Sequence, residues 1–207
     1  MPPDRLLETL RHAAAATSLI EWLAVAFGLI QVLLARGGSI WNYAAGILST
    51  GLTIWLMADA QLYAEAVLNL YYFLISIWGI YAWRQQSDGQ SIPQFATRRE
   101  WIVVTAIAGL GTVSIAFLLA TFTPSDVPLW DGAVSALAWA GTWLLTRRRV
   151  ENWLVLNVSN LLAIPLQVHK GLYLYALLTI VLFIIALDGY RLWRNQARSV
   201  RKNGLPG

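Results

Sequence analysis

Leu62–Arg84 reads LYAEAVLNLYYFLISIWGIYAWR, and Leu172–Arg194 reads LYLYALLTIVLFIIALDGYRLWR. Laid over each other at an offset of 110 residues, without a gap, they agree at Leu62, Tyr63, Ala66, Leu68, Phe73, Ile75, Gly79, Trp83 and Arg84. The same offset sets Glu21 over Asp131, Asn42 over Asn152, Ser49 over Ser159 and Leu52 over Leu162. Each stretch is long and apolar enough for a membrane-spanning helix, which needs about 20 such residues. The chain therefore reads as a duplicated membrane bundle. Bundles of that kind most often move a solute across the bilayer, with the site between the halves.

Composition supports a membrane protein. Hydrophobic residues make up 57% of the 207 positions and charged residues 13%, with a mean hydropathy of +0.55. That is too little charge to coat a soluble globule. Cysteine is absent and there are two histidines, His12 and His169. Disulfides and thiolate metal sites are thus excluded, and no cofactor is expected. The net charge of +4 is not a nucleic-acid signal, because the basic residues stand between apolar runs and are better explained by topology.

Seven spans follow: roughly Ser18–Ala35, Ile40–Met57, Leu62–Trp83, Trp101–Thr121, Pro128–Thr146, Asn152–Val168 and Gly171–Trp193. Residues 1–17 read as a short surface helix, Arg84–Glu100 as the longest polar loop, and 195–207 as a basic, mobile tail. With seven spans, Arg5, Arg11 and Lys170 fall on one side. The other twelve basic residues fall opposite: Arg36, Arg84, Arg98, Arg99, Arg147, Arg148, Arg149, Arg191, Arg194, Arg198, Arg201 and Lys202. That asymmetry puts the N-terminus outside and the C-terminus in the cytoplasm. The expected fold is all-α and integral to the membrane. Residues 18–84 form one triple-helix unit and 128–194 the other, joined by a loop and linker helix within 85–127. An odd joiner gives the two units the same direction through the bilayer, a 3+1+3 parallel repeat of the SWEET type.

Candidate site residues come from polar or aromatic side chains inside spans. On the sixth span Trp153, Asn157, Asn160 and Ile164 share one face. An amide there needs a partner, from a substrate or from a neighbouring helix. On the third span Asn69, Tyr72, Ser76 and Gly79 share a face, matched in the seventh by Thr179, Leu182, Ala186 and Gly189. On the fifth, Trp139 lies near mid-span, where it could stack on a flat cationic ring. Gln31 is a further candidate on the first span. Trp22, Trp41, Trp55, Trp78, Trp83, Trp101, Trp130 and Trp193 suit the interfacial belt. Glu21 and Asp131 stand at helix starts, where a carboxylate meets the positive end of the dipole; with Glu65 they could also line an outer vestibule. Asp188 is expected to pair with Arg191 or Arg84.

The segments EWLAVAFGLIQV from Glu21, LYAEAVLNLYYFLISIWGIYAW from Leu62, PLWDG from Pro128 and RRRVENW from Arg147, with the closing stretch Gly171–Trp193, resemble the PnuC vitamin transporters. The resemblance implies a SWEET-like fold, a homotrimer in the bacterial inner membrane, and facilitated diffusion of a vitamin precursor that a cytoplasmic kinase then phosphorylates and traps. Members of that family take nicotinamide riboside, thiamine or riboflavin. Nicotinamide riboside is the leading expectation and thiamine the alternative. Carriers of nicotinamide riboside tend to have further aromatic residues after the ENW sequence. Here Trp153 is followed by Leu154, Val155, Leu156 and Asn157, which raises the thiamine reading.

Two other classes compete. A membrane enzyme would need a metal set or an activated nucleophile, and neither HExxH nor GxSxG occurs. A structural subunit would have its polar residues consumed by a partner. The charge count gives the first prediction: a reporter fused after Gly207 that is active only in the cytoplasm will be active, and one active only outside will be silent.

Overall fold

The structure, a computed structural model, describes residues 18–85 and 92–202, without the side chains of 63–65 and 201–202. The expected surface helix over 1–17, the middle of the polar loop and the Glu65 side chain lie outside the described residues. Those residues contain seven helices: α1 Leu19–Arg36, α2 Trp41–Asp59, α3 Tyr63–Gln85, α4 Arg98–Phe122, α5 Pro128–Thr146, α6 Asn152–His169 and α7 Tyr173–Lys202. Four have segments long and apolar enough to cross a membrane: Leu19–Arg36, Ala66–Gln85, Arg98–Phe122 and Tyr173–Val200. Helices α2, α5 and α6 have 18 or 19 residues and carry more of the polar side chains.

Local chemistry fixes the helix starts. Ser18 Oγ accepts from the Glu21 N–H at 3.3 Å, while the Glu21 carboxylate accepts from the Ser18 N–H at 2.5 Å. Thr97 and Glu100 repeat this capping box at α4, so each pair satisfies two N–H groups that the helix leaves open. Helix α4 begins three residues before the expected Trp101. Pro128 opens α5, where its missing N–H costs nothing. Pro165 lies inside α6, which runs on through it to His169. Helix α7 does not stop at Trp193: residues 195–202, expected to belong to a tail, continue it. Its 30 residues span about 45 Å at 1.5 Å each, more than the roughly 30 Å of hydrocarbon, so its end projects into the aqueous phase.

Neighbouring pairs are α1 with α2, α2 with α3, α3 with α5, α5 with α6, α6 with α7, and α7 with α1. Six helices thus close a ring in which α2 and α6 stand opposite each other. Helix α4 is outside it, packed on α5 and touching α3. At Gly132 the approach is backbone to backbone, since a Cβ there would lie 2.7 Å from the Thr112 carbonyl oxygen.

The 110-residue offset recurs in the contacts. Ser49 Oγ donates to the Ala24 carbonyl at 2.8 Å, and Ser159 Oγ to that of Val134 at 2.7 Å. The Asn42 amide donates to the Ser39 carbonyl and the Asn152 amide to that of Arg149, both at 2.6 Å. Positive φ angles occur at Gly38 and Arg148, and at Gln61 and Gly171, which are the same positions in the two copies. The second helix of each copy rests an aromatic ring on a glycine of the third. A Cβ on Gly79 would lie 2.1 Å from Tyr43 Cε1, and one on Gly189 would lie 2.8 Å from Trp153 Cε2.

One pairing is inverted between the copies. Gln31 of α1 lies over Gly46 of α2, whereas at the equivalent crossing Leu156 of α6 lies over Gly141 of α5. Large meets small at both crossings, as close packing requires, but the large residue has changed helix. Gly79→Ala should lower the thermal midpoint in detergent, because overpacking costs about 1–3 kcal/mol. Gly109→Ala, with nothing within 4 Å of its Cβ, should leave the midpoint unchanged or raise it through helix propensity.

Candidate functional site

Asn157 stands near the middle of α6 with 7% of its surface exposed. Among the described residues, neither its Nδ2 nor its Oδ1 has a hydrogen-bond partner. An unsatisfied buried amide costs about 1–3 kcal/mol in proteins, and a bilayer offers it no water. Asn160 lies one turn further on the same face, half-buried. Trp153 lies one turn earlier with 1% of its surface exposed. Its ring is packed between Gly189 and the edge of Trp193, 5.6 Å away at 88°, and its Nε1 has no partner.

On the neighbouring helix α5, Trp139 is half-buried and packs beside Ile115, Leu119 and Ala136. One face of its indole is stacked on Tyr71 of α3, with centroids 4.6 Å apart and planes 26° apart. Its Nε1 is buried without a partner. Tyr71 also donates its hydroxyl to the Trp139 carbonyl at 2.8 Å. Tyr71 is a contact the sequence reading missed; its place at the α3–α5 seam had no counterpart in the repeat, where position 181 is Val181. Tyr72 meets the edge of Tyr71 at 5.6 Å.

The other candidates separate. Gln31 lies beside Gly46, close to Ser76 of α3: a Cβ on Gly46 would be 2.9 Å from both Gln31 Cδ and Ser76 Oγ. Asn69 is half-buried on α3. Thr179 is buried and donates to Gln167 Oε1 at 2.9 Å, tying α7 to α6. Of the candidates, Trp139 on α5 and Trp153 and Asn157 on α6 keep orphan polar atoms, while Thr179 is committed to a helix–helix bond.

Two expectations are corrected. Trp83 and Trp193 do not lie in an interfacial belt; each is 1% exposed and bonded across the ring. Trp22, Trp41, Trp55, Trp78 and Trp101 are exposed, as belt residues are. Asp188 pairs with Arg36 of α1, not with Arg191 or Arg84, because the ring closure brings α1 against α7. The two equivalent carboxylates have different work. Glu21 caps α1, and Asp131 accepts from Lys170 at 2.6 Å and from Ser125.

The basic residues at the opposite end are partly structural. Arg149 bonds Glu100 at 2.9 Å and Gln94 at 2.6 Å. The Gln94 backbone pairs with Arg148 and Val150, which fastens the entry to α4 onto the α5–α6 turn. Arg148 lies 3.6 Å over the Trp83 ring, and burial pulls its guanidinium below its usual value, opposed by Tyr43.

A cavity of about 380 Å³ lies at the α1–α7 seam, lined by Glu21, Trp22, Leu172, Tyr173, Tyr175 and their neighbours. Trp22, Leu172 and Tyr175 are exposed, so it opens sideways. No residue singled out as a substrate contact lines it.

The family described as nicotinamide mononucleotide transporter matches residues 18–195. The chain belongs to that family. Its members are transporters, and this one is a multi-pass protein of the bacterial inner membrane. It is 30% identical over 209 residues to the nicotinamide riboside transporter PnuC of Escherichia coli K12, covering 87% of each chain. It is 26% identical over 188 residues to the riboflavin/roseoflavin transporter RibM of Streptomyces davaonensis, covering 87% of this chain and 86% of that one. Among solved structures, the crystal structure of the vitamin B3 transporter PnuC superposes with a TM-score of 0.71 at 23% identity, over 94% of this chain and 90% of that one. At that identity the likeness speaks for the fold.

Tyr71→Phe removes the hydroxyl bond while keeping the stacked ring. It should cost about 1 kcal/mol of stability, read as a lower thermal midpoint.

Proposed function

We propose that the protein carries a small heteroaromatic vitamin precursor by facilitated diffusion, with nicotinamide riboside as the leading substrate. The observation that carries this is the Asn157 amide, buried in the ring with both its donor and its acceptor unused. A ligand edge that presents one acceptor and one donor would complete it. Trp139, whose indole N–H is buried without a partner, would meet the same flat solute, with Trp153, Asn160, Tyr72, Asn69, Gln31 and Thr179 as the other contacts. Aromatic faces suit a pyridinium or thiazolium ring by cation–π attraction.

Around that site we place seven spans as two like-oriented triplets joined by α4, related by an axis along the membrane normal in the SWEET manner. The recurrence of contacts at 110 residues supports this, and the arginine count supports an external N-terminus. The cycle would be driven by phosphorylation of the arriving substrate by a cytoplasmic kinase, and the assembly would be a homotrimer, as the family resemblance implies. Thiamine is the second reading. It is favoured by the run Leu154, Val155, Leu156, Asn157 after Trp153, which puts an amide and aliphatic side chains where a further stacking ring would serve a nicotinamide.

Titration of the purified protein with nicotinamide riboside, thiamine and riboflavin tests the reading. One of the first two should bind, and Asn157→Leu should weaken it roughly tenfold or more. Because the lost amide had no partner, the same variant should keep or raise the thermal midpoint. Equal losses of binding and stability would mark Asn157 as a structural residue. Trp139→Phe should keep partial affinity and Trp139→Ala very little.

A further inference from the structure

One buried cluster closes the ring at its arginine-bearing end. All six ring helices contribute: Ala35 from α1, Tyr43 from α2, Trp83 from α3, Leu145 from α5, Trp153 from α6 and Trp193 from α7. Trp83 and Trp193 meet across the centre with ring centroids 6.5 Å apart. Each has its edge or face against the aromatic residue of its own unit: Tyr43 lies 5.1 Å from Trp83 and Trp153 lies 5.6 Å from Trp193, both at 88°. All six residues are buried, with at most 5% of their surface exposed.

The hydrogen bonds of the two tryptophans run between the units. Trp83 Nε1 of α3 donates to the Leu145 carbonyl at the end of α5, at 3.3 Å. Trp193 Nε1 of α7 donates to the Arg36 carbonyl at the end of α1, at 3.0 Å. The ring has two seams between its units, α3–α5 and α7–α1, and each is spanned by one of these bonds. The α7–α1 seam also holds the Arg36–Asp188 ion pair. The matching positions on the other seam are Thr146 and Trp78, so at this end the two seams are fastened differently; elsewhere along it the α3–α5 seam carries the Tyr71–Trp139 stack and hydrogen bond.

The cluster is also incompletely satisfied. Tyr43 Oη and Trp153 Nε1 are buried within it without a hydrogen-bond partner, and so are Asn42 Oδ1 and Asn152 Oδ1 in the same turns of α2 and α6. A permanently packed core rarely keeps such atoms. Here they come in equivalent pairs, at the place where separating the units would admit water to all four.

We propose that Trp83 and Trp193 are paired latches of a gate at the arginine-bearing end, and that the units rock apart by releasing both indole–carbonyl bonds. This rests on the transport reading above and extends it. The plug is the floor of the site, because Trp153 lies one turn from Asn157, and the latches set how often the floor opens. Closed and open states then differ by discrete contacts: two N–H···O bonds and one ion pair are exchanged for hydration of the four orphan atoms.

The native chain has no cysteine, so a single Ala186→Cys reports on the plug; Ala186 is 3% exposed within the same cluster. The measurement is its rate of reaction with a charged, water-soluble thiol reagent in lipid nanodiscs. Trp83→Phe and Trp193→Phe keep the ring and delete the donor. Each should speed labelling about threefold to tenfold, the range set by the worth of one net hydrogen bond, and the double variant should multiply the two effects. Asp188→Asn, which removes no bulk, should speed it as well. A cysteine at exposed Gln196 should label at one rate in every background. Unchanged Ala186→Cys labelling in the double variant overturns the proposal. If the Phe variants fail to elute as a single species, unchanged labelling in Asp188→Asn overturns it instead. No substrate enters the measurement, so a failure to bind any vitamin leaves its result intact.

Discussion

An aromatic ring seated on a glycine sets the dimensions of this protein. Tyr43 on Gly79 and Trp153 on Gly189 bring the second and third helices of each unit so close that no Cβ fits between them. In a bilayer, lipid tails are as apolar as leucine, so helices associate through packing and polar contacts more than through the hydrophobic effect. A glycine under a large flat ring gives the most contact per crossing. It also fixes where the opposing rings stand, and hence how far Trp83 and Trp193 reach into the centre. The buried end cluster is built on both of these rings.

Polar satisfaction divides the interior into two kinds of place. Ser49, Ser159 and Thr179 each donate to an acceptor on a neighbouring helix, and they bind the bundle together. Asn157 and the Trp139 indole N–H do not. Membrane interiors penalise an unpaired amide heavily enough that its retention needs a compensating use, and the solute contact proposed for Asn157 would be one.

The seven helices and the 110-residue offset that recurs in their contacts were legible from the sequence, because hydropathy and self-similarity are local properties of the chain. Glu21 and Asp131 were legible as helix-start carboxylates for the same reason. What was not legible depended on how α1 meets α7 and α3 meets α5. Trp83 and Trp193 occur near span ends, where tryptophan commonly marks an interface, and only ring closure shows that both point inward. Asp188 has basic residues near it in sequence, yet its partner Arg36 is 152 residues away. Tyr71 escaped notice because the site was read from one face of the third span, and Tyr71 belongs to the next. The continuation of α7 through 195–202 was hidden by its charge, which suited a tail as well as a projecting helix.

The exchanged pairing of Gln31 over Gly46 and Leu156 over Gly141 bears on the history of the duplication. A single substitution that made either half more like the other would leave a void or a collision, so neither crossing converts to the other's arrangement in one step. The two copies differ here by coupled pairs, position 31 with 46 and 141 with 156. A chimaera assembled from two copies of one half would need only one solution to that fit. Hybrids joined within a half, between the paired positions, would inherit two incompatible ones.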